Sequence, residues 1–227
     1  MGLILDAIAD AFASLGDPEL IEVVGLTLVV SGLASIASLA AGVPVGAALG
    51  LGRFRGRCAL RVAVDVGLGL PPVLVGLSML LLFWRSGPLG SLRLTFTPTA
   101  MVIAQFLLAL PIVVGLTATA IDSLPSAALE QLDALRLGGV DRARLALIEV
   151  WPGVVGAAVA AFGRVVSEVG AVQIVGGNIS GETRVLTTLI VQESRQAQFG
   201  PALGAGIVLL AISLIVNVSL NRIRGAR

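Results

Sequence analysis

Five long apolar runs divide this chain, and short stretches rich in arginine, proline and glycine separate them. The runs cover residues 20–51, 62–83, 98–120, 153–175 and 201–220. Each supplies the roughly 20 apolar residues that a helix needs to cross a hydrocarbon core of about 30 Å, where every backbone amide must be paired within its own segment. Their edges carry helix-start chemistry. Thr97-Pro98 and Gly200-Pro201 place proline at the first helical position, where a missing N–H costs nothing, and Asp17-Pro18-Glu19 adds an acidic cap. The pattern predicts an all-α, polytopic membrane protein of about five spans, forming one domain over residues 1–227. Ahead of the first run, Leu3, Ile4, Ala7, Ile8 and Phe12 share a helical face, with Asp6 and Asp10 elsewhere, so residues 1–16 are expected to form a short interfacial helix. This segment lacks the basic start and continuous apolar stretch of a cleaved signal.

Composition agrees with that picture. Of 227 residues, 56% are hydrophobic and 13% charged, and the mean hydropathy is +1.01. All fifteen basic residues are arginine, unevenly spread among the connections. Arg53, Arg55, Arg57 and Arg61 follow the first run; Arg136, Arg142 and Arg144 follow the third; Arg222, Arg224 and Arg227 close the chain. Those three places are expected to be cytoplasmic. The other side receives Arg85, Arg93, Arg184 and Arg195, while the first nineteen residues carry four acidic groups and no base. The predicted topology is therefore amino end outside, carboxyl end in the cytoplasm.

Missing residue types exclude whole classes of chemistry. Without lysine or histidine there is no phosphate-loop lysine, Schiff base, histidine general base or histidine metal ligand. No catalytic residue, metal site or cofactor is expected, and no nucleic-acid partner. The single Cys58 cannot form an internal disulfide.

Between the third and fourth runs lies a polar island, residues 122–149, longer than an ordinary connection. It contains Glu130, and then Asp133, the small Ala134, the pair Gly138 and Gly139, and Pro152 just beyond. Counted from Asp133, the acidic residue, the small residue, the glycine six positions on and the proline nineteen positions on resemble the ATPase-docking loop of ABC-importer permeases. A short amphipathic helix there would insert in a cleft of a soluble partner, with Gly138 and Gly139 permitting a turn that a side chain would obstruct. The resemblance spans nearly the whole chain, from Thr27-Leu-Val-Val-Ser31 onward. Leu70-Pro-Pro-Val-Leu-Val-Gly-Leu77, Ser86-Gly-Pro-Leu-Gly90, the stretch from Phe96 to Gln105, the stretch from Phe162 to Gly170, Val175-Gly-Gly-Asn-Ile179 and Thr183-Arg-Val-Leu-Thr-Thr188 look like the tungstate-specific branch. Molybdate and sulfate permeases share parts of them. The resemblance implies a type I permease subunit working with a second copy of itself, a cytoplasmic ABC ATPase dimer that holds ATP and Mg, and an extracytoplasmic oxyanion-binding protein. A secondary transporter, the main alternative, would need its own coupling-ion site and commonly shows inverted repeats; neither is visible.

Arg164 and Glu168 lie four apart in the fourth run and so on one helical face, where an unpaired charge would cost about 2.5–3.5 kcal/mol. They are expected either to line a translocation path or to form a permanent ion pair, with Asp65 as a possible third member. Gly42, Gly46 and Gly50 form a small-residue stripe that admits a close neighbour, from this chain or another copy. Pro44, Pro71-Pro72 and Pro111 predict kinks, and residues 176–181 a flexible external turn.

Overall fold

A computed structural model describes residues 2–225, and side chains for residues 6–223. Among the described residues the regular structure is entirely helical: α1 Gly2–Ser14, α2 Pro18–Leu51, α3 Arg57–Leu68, α4 Pro72–Phe83, α5 Pro98–Asp122, α6 Ser126–Ala134, α7 Gly139–Glu149, α8 Trp151–Val166, α9 Gly170–Gly176, α10 Leu186–Arg195 and α11 Phe199–Gly225, with one 3-10 turn at Gly90–Leu92. The starts of the long helices follow the local chemistry: Asp17 accepts the Glu19 amide at 2.9 Å, and Thr97 accepts the Ala100 amide at 3.3 Å.

Helices α2, α5 and α11 are each long and apolar enough to cross a membrane. The second expected span differs. α3 and α4 meet at 102°, so residues 62–83 are not one straight helix. Pro71 disfavours helical geometry at Leu70 and itself lies extended, with φ −65° and ψ 122°, while Pro72 opens α4. The fourth span also breaks. α7 turns into α8 by 79° at Val150, and α8 stops at Val166, three residues short of α9. By contrast Pro44 and Pro111 sit inside helices that continue past them, so only the proline pair interrupts its segment.

The core is built on α2 against α5, with α8 packed on both. The glycine stripe of α2 makes this approach possible, and its neighbour is α5 of the same chain. A Cβ at Gly42, Gly46 or Gly50 would fall 2.8, 2.7 or 2.8 Å from the Cβ of Val113, Thr117 or Ile121. Hydroxyls on α2 are kept satisfied in this apolar setting by bonding back to the preceding turn: Thr27 to Val23 O, Ser35 to Ser31 O and Ser38 to Ala34 O, at 2.6–2.7 Å. Thr27 also accepts the Leu186 amide at 2.9 Å, which ties α10 to α2.

Helix α1 packs along α11 through Ala7 and Ala11, leaving Ile8 and Phe12 exposed. Leu3 and Ile4 of the expected interfacial face lie outside the described side chains, as do Arg224 and Arg227. The 176–181 turn is firmly held: Gly177 and Gly181 adopt φ +74°, Asn178 donates to Gln192 at 2.7 Å, and Thr183 accepts the Ile179 amide at 2.9 Å.

Candidate functional site

The polar island folds as two short helices, α6 and α7, joined by the turn 135–138. Asp133 at the end of α6 pairs with Arg142 on the first turns of α7, Oδ1 to Nη2 at 2.8 Å. That bond closes the turn into a helical hairpin, although exposure of both side chains limits it to roughly 0–1 kcal/mol. Glu130, Asp133, Ala134, Gly138 and Gly139 are all exposed, as is Pro152 in the first turn of α8. The hairpin tip exposes apolar side chains beside the charged Arg136: Leu135 is 58% and Val140 83% exposed.

The expected reason for the two glycines needs correction. Gly138 lies extended, with φ −62° and ψ 157°, and a Cβ at Gly138 or Gly139 would meet nothing within 4 Å. The left-handed residue is Arg136, at φ 47°. Within this chain, nothing obstructs a side chain at either glycine.

At the root of the hairpin, Asp122 ends α5 and accepts from both Arg57, at 3.3 Å, and Arg61. Arg57 also donates through Nε to Leu49 O at 2.8 Å, covering a carbonyl at the end of α2. α3 and α5 therefore meet at one carboxylate, and Arg57 links α2 to them. Sequence reasoning used Arg57 and Arg61 only as topology signals and missed this clamp, because the partners lie more than sixty residues apart. The opposite charges at the polar edges of two apolar runs were the available clue.

Inside the bundle, Arg164 and Glu168 do come together, Nη1 to Oε2 at 3.6 Å. Glu168 is 5% exposed. Its Oε1 accepts the Ala171 amide at 3.1 Å, and its backbone carbonyl accepts the Thr187 hydroxyl at 2.9 Å. Glu168 thus fastens the break between α8 and α9 and connects it to α10. Gln105 secures the other side, donating to Val165 O at 3.1 Å. Asp65 is not a member of the group: it is exposed on α3 and pairs with neither residue. The Arg164 side chain remains 38% exposed, against 4% for that of Glu168.

Residues 42–225 match the family of binding-protein-dependent transport system inner membrane components. The chain belongs to that family. The permease is 40% identical over 219 residues to a probable anion ABC transporter permease protein of Haloferax volcanii, covering 93% of this chain and 94% of that one. It is 36% identical over 201 residues to the tungstate uptake system permease protein TupB of Peptoclostridium acidaminophilum, covering 88% of each. Among solved structures, an inward-facing MetNI methionine ABC transporter superposes with a TM-score of 0.77 over 92% of the permease and 95% of that chain, at 18% identity. That likeness shows the fold alone, a type I ABC permease fold. The permease is accordingly a multi-pass membrane protein.

Proposed function

We propose that this permease is the channel half of an ABC importer that carries tungstate, or a related tetrahedral oxyanion, into the cytoplasm. The observation that carries the reading is the 36% identity with a tungstate uptake permease over 88% of both chains; the anion permease relative supports the broader class. In this reading two copies of the chain form the channel, a binding protein delivers the oxyanion from outside, and ATP and Mg act on a partner ATPase dimer. The amino end lies outside and the carboxyl end in the cytoplasm, an orientation supported by the arginine-rich connections on the α6–α7 side.

The α6–α7 hairpin is the ATPase-docking element. The exposed Leu135 and Val140 at its tip offer apolar contact area, the Asp133–Arg142 pair stiffens it, and α7 runs directly into α8 through Val150. A push on the hairpin would reach the α2–α5 core through α8 and through the Asp122 clamp. ATP-dependent accumulation of tungstate in proteoliposomes holding the whole complex tests the function, with molybdate and sulfate as parallel substrates. No accumulation of any of the three by an assembled complex would refute it.

A further inference from the structure

The connection between α4 and α5 surrounds a cavity of about 990 Å³ whose lining includes Trp84, Arg85, Ser91, Arg93, Thr95 and Phe96. Its chemistry is one-sided. Two guanidinium groups, the indole N–H and the Ser91 hydroxyl can donate, and no lining residue is a carboxylate. Neither arginine is in an ion pair among the described residues, whereas Arg184, on the same side in the proposed topology, is held by Glu19.

The cavity wall is built, not slack. Leu89 donates to Leu82 O at 2.9 Å, Thr95 to Phe83 O at 2.8 Å, and the Phe96 amide to Val175 O at 3.0 Å, which fixes the connection to α9. A Cβ at Gly87 would lie 2.2 Å from Leu81 O, and one at Gly90 2.3 Å from Trp84 O, so the loop closes as tightly as backbone allows. Arg93 and Phe96 are held at φ 53° and 58°, a conformation that non-glycine residues adopt only when their surroundings impose it. Trp84 and Phe96 meet edge to face with ring centres 6.5 Å apart.

We propose that this cavity is an entry site for the transported oxyanion, with Arg85 and Arg93 drawing a hydrated tetrahedral dianion from the mouth of the binding protein toward the channel. This inference rests on the oxyanion reading above. A recess lined by donors suits a small anion, and a volume of about 990 Å³ leaves room for an ion that keeps water, hence weak, salt-sensitive holding that allows onward passage.

The test is tungstate retention by the full chain in lipid nanodiscs, measured by equilibrium dialysis with tungsten quantified by mass spectrometry, alongside Trp emission. The proposal expects saturable retention, screened by sodium chloride, weakened on the order of tenfold in R85Q/R93Q and largely kept in R85K/R93K. Equal retention by wild type and R85Q/R93Q, or none by either, overturns it. So does a result in which R85Q/R93Q loses only its association with the binding protein, since the arginines would then be a protein contact. Uptake by the complex separates the two levels: transport without retention at this cavity removes only the entry site, while absence of oxyanion uptake removes the underlying function.

Discussion

Arg164 Nη1 lies 3.6 Å from Glu168 Oε2, while the other oxygen of the same carboxylate accepts the Ala171 amide. Glu168 therefore serves both a charge and a backbone group, and the two duties separate experimentally. Glu168→Ala leaves a buried amide unpaired, which costs about 1–3 kcal/mol, and also strands Arg164. Arg164→Ala strands a buried carboxylate. The double variant R164A/E168Q removes both charges yet keeps an acceptor for Ala171, and is expected to melt above E168A and R164A in detergent. A loss in the double variant equal to the sum of the losses in R164A and E168Q measured singly would instead assign the residues independent roles.

Gly139 offers a cleaner probe of docking than its type alone suggested. Because a Cβ there meets nothing within 4 Å, Gly139→Asp is expected to leave insertion and melting unchanged. Transport and ATPase coupling are expected to fall at least tenfold, as a bulky charge is forced into the partner's cleft. Normal uptake by a well-expressed G139D variant would count against the hairpin as the docking element.

The α2–α5 contact predicts a contrast between two glycines of one helix. Gly46→Val places atoms where Thr117 Cβ and Val114 O already stand, each 2.7 Å from the new Cβ, and is expected to destabilise by about 1–3 kcal/mol or more. Gly25→Ala meets nothing within 4 Å and is expected to be neutral or to stabilise by up to about 1 kcal/mol. Thermal melting of the two variants side by side measures the difference, and equal melting points would contradict the close packing.

The long helices were legible because their determinants are local. A run of apolar residues opened by proline announces itself, and α2, α5 and α11 begin and end within about two to five residues of the expected positions. The breaks were harder to read. Pro71-Pro72 signalled a kink but not one of 102°, and the interruption at 167–169 depends on Glu168 capping α9 and on Gln105 holding Val165 O from another helix. At the candidate docking segment the spacing from Asp133 to Pro152 was visible, whereas the Asp133–Arg142 and Asp122 bonds exist only once the helices are arranged in space. The expectation that a side chain at Gly138 or Gly139 would obstruct the turn failed for the complementary reason: glycine types are visible in a sequence, but free space around them is not.

The central claim, that this chain is an oxyanion channel moved by a partner's ATP hydrolysis, is tested most directly by ATPase activity in proteoliposomes. The complex would hold the permease, its ATPase and its binding protein, titrated separately with tungstate, molybdate and sulfate. The account predicts stimulation by tungstate at lower concentration than by either other anion, abolished by Gly139→Asp with the complex still assembled. Hydrolysis indifferent to all three oxyanions in an intact complex would contradict it.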